Sequence, residues 1–126
     1  MPKPTIESRD LSILEHIRNY CRESNDALAM TPTRESFLTN RVCQNSVAMC
    51  VLQVGELVKH LSFGFTEEHR EIPWHSIARA RDVYAHLYGS VDAEVLYETA
   101  TENLPELLTF CEALLQEDAD SSLKPE

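Results

Sequence analysis

The run Arg41-Val42-Cys43-Gln44-Asn45-Ser46-Val47-Ala48-Met49-Cys50-Val51-Leu52-Gln53-Val54-Gly55-Glu56-Leu57-Val58-Lys59-His60-Leu61 decides the fold. Its apolar positions Cys43, Val47, Cys50, Val54, Leu57 and Leu61 advance by 4, 3, 4, 3 and 4 residues. That spacing is the seam of a helix packed against other helices. The helix is expected to run from about Arg34 to about Leu61. Gly55 stands inside it, where glycine costs about 1 kcal/mol relative to alanine. Close approach of a second helix at that point would account for a residue without a side chain.

Upstream, Leu11, Leu14, Ile17, Cys21 and Leu28, broadened by Ile13 and Tyr20, predict a helix from about Ser8 to about Met30. Thr31-Pro32-Thr33 breaks it and offers a cap for the seam helix. Downstream, Ser62-Phe63-Gly64-Phe65-Thr66 reads as a turn, with Thr66 capping a short helix that begins Glu67-Glu68. Pro73 suits the first turn of a helix carrying Trp74 to about Tyr88, which Gly89 would stop. Asp92 can cap a short piece, Ala93 to Ala100. Asn103 with Glu106 resembles a capping box for a last helix to about Glu117. No stretch alternates polar and apolar as a half-buried strand does. The expected architecture is all-α: an up-and-down antiparallel bundle of four main helices plus one or two short ones. The 126 residues fit one domain, 1–126, with 118–126 a flexible acidic tail.

No apolar run approaches the roughly 18 residues that span a bilayer, and Met1-Pro2-Lys3-Pro4-Thr5 lacks the apolar core of a signal peptide. The expected compartment is the cytoplasm, with no membrane partner. Cys21, Cys43, Cys50 and Cys111 form no CxxC pair and no zinc spacing with histidine, so they read as buried thiols and no metal or cofactor is assigned. Net charge is −10, which at face value opposes nucleic-acid binding. The charge is uneven, however: residues 89–126 hold ten acids and one base, a net −9, leaving −1 for residues 1–88. The acidic load is a C-terminal property, a solvated face or a surface for a basic partner.

The helix after Pro73 is the chemical segment. His75, Arg79, Asp82 and His86 are spaced 4, 3 and 4 apart and share one face. Arg81 falls at its border, while Trp74, Ile77, Ala78 and Ala85 lie elsewhere and can face the core. Asp82 stands four residues before His86, within reach of a ring nitrogen, where it would fix the tautomer. Such a face also suits plain solvation, and Tyr84 and Tyr88 also suit packing. The set is nonetheless complete for one reaction. A histidine can take the proton of an RNA 2′-hydroxyl or give one to the leaving oxygen. An arginine can hold the phosphate and the charge that builds on it. Glu56 is a candidate partner for an arginine across the bundle.

Arg81 followed by four residues and His86 resembles the R-x4-6-H motif of HEPN-domain ribonucleases. With Tyr88 it resembles the R-x4-H-x-Y motif of HepT toxins. Gly55-Glu56, Ile72-Pro73-Trp74, Gly89-Ser90-Val91-Asp92 and Asn103-Leu104-Pro105-Glu106-Leu107 are similar to the same family in order and position. The resemblance runs from about Ser8 to about Leu115. It implies a HEPN-type bundle that forms a homodimer, with two motifs meeting in a composite cleft. It implies a metal-independent endoribonuclease toxin with Arg81, His86 and Asp82 in the catalytic set, and Arg79 and His75 as candidate RNA contacts. It implies a partner, an MNT-type nucleotidyltransferase antitoxin that places AMP on Tyr88. Many members carry asparagine after the motif arginine; this chain carries Asp82, whose charge opposes RNA phosphate. The alternative is a non-catalytic subunit that binds nucleotide or a nucleotidyltransferase partner.

Overall fold

The computed structural model describes residues 6–87 and 92–123. It is an all-α bundle built on four long helices: α1 (Ser8–Ala29), α3 (Arg41–Val58), α5 (Trp74–Leu87) and α7 (Leu104–Leu123). Three short helices join them: α2 (Arg34–Leu38), α4 (Phe63–Glu68) and α6 (Ala93–Glu98). No strand occurs among the described residues. No helix among them is long and apolar enough to cross a membrane.

α3 packs against α1 on one side and α5 on the other, and α7 closes over α1. The seam lies where its spacing put it: Cys43, Val47, Cys50 and Val54 are buried on α3. Opposite them α1 buries Ile13, Leu14, Ile17, Cys21 and Ala27. Leu14, Ile17, Phe37, Val47 and Val54 are almost wholly shielded from water. Each such side chain contributes about 1.5–3 kcal/mol by leaving water. The two helices run antiparallel. The start of α1 meets the end of α3, where the Asp10 carboxylate accepts from the Ser62 backbone N–H at 2.9 Å and from its hydroxyl at 2.6 Å. Farther along, Cys50 Sγ approaches Glu23 Oε2 at 4.0 Å.

Several boundaries differ from the sequence expectation, and the seam helix itself ends at Val58 rather than near Leu61. The helix expected over Arg34–Leu61 is two helices, broken at Thr39-Asn40. Thr33 and Ser36 close a capping box on α2, and the Asn40 side chain accepts from Cys43 N–H at 3.0 Å to start α3. The break lets Phe37 turn fully into the core and meet Tyr97, ring centroids 5.4 Å apart. Next, Ser62-Phe63-Gly64-Phe65-Thr66 is helix rather than turn. Its N-cap is Ser62, which accepts from Phe65 N–H at 3.2 Å, not Thr66.

Lastly, Asn103 caps no new helix. A π-helical turn over Thr99–Asn103 carries α6 directly into α7. Pro105 supplies the physical reason. It has no N–H to give the carbonyl four residues back, and its ring crowds that carbonyl, so a regular α-helix fails there. One wider turn absorbs the misfit. α7 then runs to Leu123, past the end expected near Glu117. The four cysteines are free and buried, as their spacing suggested. Burial pushes the Cys21 and Cys111 thiols up to about 12 and Cys50 up to about 11.

Candidate active site

The start of α5 is pinned by Trp74. Its indole N–H donates to the His69 carbonyl at 2.9 Å, and its ring sits 5.9 Å from Phe65 and 5.6 Å from Phe110. Beyond that anchor the helix is thinly covered. Of its described side chains only Trp74 and Tyr84 are buried; Ile77, Ala78, Ala80 and Arg81 are half-buried. His75, Arg79, Asp82 and His86 are all exposed, as one polar face requires. Ala85, expected to be able to face the core, is exposed, and Val83 beside it is 47% exposed.

α5 meets α3 at Gly55. A Cβ built on Gly55 would overlap the Arg81 stem, with Arg81 Cγ only 2.8 Å away and the Ile77 carbonyl oxygen at 3.2 Å. The missing side chain is therefore the space that Arg81 fills. This is the close helix approach expected from a glycine within the seam, and it ties the seam to the motif.

The approach brings four charged groups together. Arg81 Nε lies 3.3 Å from Glu56 Oε2, the cross-bundle pairing expected for Glu56. That Nε is buried, and its angle to Glu56 makes no hydrogen bond, so the contact is ionic. Asp82 Oδ1 accepts from Lys59 Nζ at 2.5 Å and lies 3.5 Å from Arg81 Nη1. Lys59 Nζ is also 3.9 Å from Glu56 Oε2, and His60 Nε2 is 3.6 Å from Glu56 Oε1. The Lys59 hydrogen bond is the main cause holding the Asp82 carboxyl below its ordinary 3.8, with the Lys59 and Arg81 charges assisting against a desolvation effect that raises it.

Asp82 was expected to steady His86. Among the described residues it is committed to Lys59 and Arg81 instead, and no hydrogen bond joins it to His86. The physical reason is competition: a lysine ammonium already in contact holds the carboxylate more strongly than an imidazole one turn away. Lys59 and His60 were not singled out from the sequence. The signal was present, since Glu56 is followed at the third and fourth positions by two basic residues. Tyr88, with Gly89, Ser90 and Val91, lies outside the described residues.

Among the described residues no group of three or more histidine, cysteine, aspartate or glutamate side chains is arranged to hold a metal ion. A cavity of about 240 Å³ opens between α3, α5 and the α6–α7 junction, lined by Val51, Val54, Ile77, Leu104 and Leu107 with Ser76 and Asn103. None of the charged groups beside Arg81 lines it. The surface around Arg81 thus offers a half-buried guanidinium fixed at its root, and an exposed imidazole five residues on.

The sequence profile of the family described as ribonuclease HepT-like matches residues 12–114. A candidate RNase of Methanocaldococcus jannaschii is 26% identical over 117 residues, 93% of this chain and 93% of the relative. A candidate ribonuclease HepT of Thermococcus cleftensis is 38% identical over 73 residues, 58% of this chain and 66% of the relative. A candidate RNase of Caldanaerobacter subterraneus subsp. tengcongensis is 30% identical over 105 residues, 83% of this chain and 93% of the relative. No solved structure gives a significant match. With the profile covering most of the chain and a relative of this identity aligned along most of both lengths, the chain belongs to the ribonuclease HepT-like family.

Proposed function

We propose that the chain is a metal-independent endoribonuclease toxin that cuts RNA with Arg81 and His86. The observation that carries this reading is the seating of Arg81 against Gly55 and Glu56, which fixes the guanidinium root, its Nε buried, in a side chain that stays 32% exposed. A phosphate needs such a planar, preorganised donor. His86 is exposed on the same helix and free to meet a ribose. It takes the proton of the 2′-hydroxyl; the 2′-oxygen attacks phosphorus; the bond to the 5′-oxygen breaks, and that oxygen leaves with a proton given back by the imidazolium so formed. Arg81 stabilises the charge on the phosphorane. The products are a 2′,3′-cyclic phosphate and a 5′-hydroxyl. RNA brings its own nucleophile, so the step balances without a metal.

Asp82 serves this site as the partner of Lys59 and Arg81 rather than of His86. Arg79, exposed on the same helix, extends cationic surface along the RNA, and the exposed His75 adds a ring that can hydrogen-bond to it. Two copies pair through α5: Val83 and Ala85 are apolar, exposed and lie within the motif, and pairing would cover them while bringing two sites to one cleft. The family resemblance supports a cytoplasmic toxin silenced by an MNT-type nucleotidyltransferase that transfers AMP to Tyr88. An added phosphate two residues from His86 would compete with RNA for Arg81.

The test is an RNA cleavage assay with EDTA present on the purified protein, Arg81→Ala and His86→Ala, recording the intact mass of each. Cleavage by the wild type alone, leaving cyclic phosphate ends, is the expected result. Loss of wild-type cleavage in a sample heavier by AMP, restored when the AMP is removed, supports the antitoxin half. Cleavage equal in all three proteins would place the chemistry elsewhere. No cleavage at the unmodified mass would favour a nucleotide- or partner-binding subunit.

A further inference from the structure

The charged cluster beside Arg81 contains more than the proposed reaction uses. Two carboxylates and two cations alternate around it, Glu56 and Lys59 from α3 and Arg81 and Asp82 from α5. The contacts are unequal. A single oxygen, Asp82 Oδ1, faces both cations, at 2.5 Å from Lys59 Nζ and 3.5 Å from Arg81 Nη1. Lys59 and Arg81 therefore compete for Asp82, and Lys59 holds it. Without Lys59 the carboxylate is already adjacent to the guanidinium. It would close on the outer nitrogens as a charge-assisted, two-pronged pair. Those are the nitrogens a phosphate needs, and the added negative charge would repel it.

Glu56 acts from the opposite side. It faces Nε, the buried root of the guanidinium, and so fixes Arg81 without covering its outer edge. Lys59 has two carboxylates within 4 Å and a side chain only 34% exposed, so its ammonium is spoken for. We propose that Lys59 is a positioning residue of the RNA-cutting site: it holds Asp82 to one long contact with Arg81 Nη1, 3.5 Å, and stops it from closing on both outer nitrogens, so that the guanidinium stays available to a backbone phosphate. This rests on the ribonuclease reading above. It also explains how the chain carries aspartate beside the motif arginine of an RNA enzyme. The carboxylate is neutralised by a lysine from another helix rather than by the arginine itself.

The experiment is a double-mutant cycle. Wild type, Lys59→Met, Asp82→Asn and the double variant are compared for kcat and KM on a fluorogenic RNA oligonucleotide. The same oligonucleotide with 2′-O-methyl riboses, which cannot be cut, gives Kd. Methionine keeps the apolar stem, Lys59→Gln is the second neutral variant, and thermal unfolding confirms that each is folded. Lys59→Met should raise KM and Kd about 10- to 100-fold, with kcat changed less. Asp82→Asn should erase that defect, leaving the double variant near Asp82→Asn alone, and Lys59→Arg should behave as wild type. Carboxyl NMR should show Asp82 in Lys59→Met losing its strongest lysine contact.

A Lys59 defect that persists in full on the Asp82→Asn background would overturn the proposal and make Lys59 itself the phosphate ligand. A Lys59→Met protein indistinguishable from a cleaving wild type would overturn it too, leaving the ribonuclease reading intact. A wild type that neither cleaves nor binds RNA would sink the ribonuclease reading first, and this inference with it.

Discussion

α1 and α5 are both amphipathic helices packed on α3, yet they are held in opposite ways. α1 buries a continuous stripe: Asp10, Ile13, Leu14, Ile17, Cys21, Ser24 and Ala27. α5, among its described side chains, buries only Trp74 and Tyr84. α1 is positioned by apolar area, which is non-directional and tolerant of detail. α5 is positioned by a few specific devices: an indole hydrogen bond, a glycine-wide approach and a ring of ion pairs. Stability is thus concentrated on the α1 side, and the proposed chemistry lies on the α5 side. A helix kept free of core duty leaves its outer face to a substrate or a second subunit.

The sharpest test of this division is a crossed pair of substitutions. His86→Ala should reduce RNA cleavage by about 10²–10⁴-fold, the usual worth of a general acid or base. Its unfolding free energy should shift by no more than about 0.5 kcal/mol, because the residue is exposed. Leu14→Ala should do the reverse. Denaturant unfolding should show a loss of about 2–5 kcal/mol at a site with no exposure. Cleavage per folded molecule should be retained. If Leu14→Ala abolishes cleavage while the protein remains folded, the two sides are not separable.

Gly55 joins the two regions, so its substitution should damage both. Gly55→Ala forces a methyl into the Arg81 stem and the Ile77 carbonyl. Overpacking of this kind costs about 1–3 kcal/mol, and the displaced guanidinium should lower cleavage as well. Gly64→Ala is the control. It lies in helix α4 with nothing near the added carbon, so the helix should gain up to about 1 kcal/mol. Equal unfolding midpoints for the two alanine variants would dissolve the link between seam and motif.

How much of this was legible in the sequence follows from the range of the forces. The seam, the Trp74 helix and the Asp92 cap were readable, because each is written in neighbours three or four residues apart; Asp92 Oδ1 accepts from Glu94 N–H at 2.8 Å. Glycine within the seam pointed to a close helix, and the close helix is the one that carries Arg81. The break at Thr39-Asn40 was missed because Asn40 was taken as a helix interior residue when it is a cap. The short helix α4 is legible, but it starts at Phe63 behind Ser62 rather than at Glu67 behind Thr66, because Ser62 is itself held by Asp10 from 52 residues away. The Lys59–Asp82 pair spans 23 residues and two helices, so no local pattern announces it. Without that pair in view, Asp82 reads as the partner of His86, one helical turn on along the same face.

The smallest expected effects are titrations, one on each side. The Cys21 thiol, near 9.0 when unfolded, is pushed up to about 12 by burial. The unfolded chain therefore loses that proton first, and stability should fall as pH rises from about 9 toward 12. Native protein at neutral pH should label slowly with a thiol reagent and react fully on unfolding. Asp82 runs the other way. Its folded carboxyl lies below 3.8, so its stabilising contribution is present above that value and fades as pH falls through the folded one. In Asp82→Asn that component of the acid limb should vanish.

The π-helical turn over Thr99–Asn103 has a consequence for chain length. A wide turn of this sort holds one residue more than an α-helix would use for the same span. Deleting one residue between Thr99 and Asn103 would remove that extra residue and join α6 to α7 as regular α-helix in the same phase, with the Pro105 ring set against the carbonyl four residues back. Each residue of an α-helix turns the chain by about 100°. An insertion there would therefore swing everything after it by about that angle. Leu104, Leu107 and Cys111 would leave the core, and exposed neighbours such as Glu106 and Thr109 would be driven toward it. α6 and α7 thus behave as a gear train that can lose one tooth but not gain one, and length variation among natural relatives should follow that asymmetry.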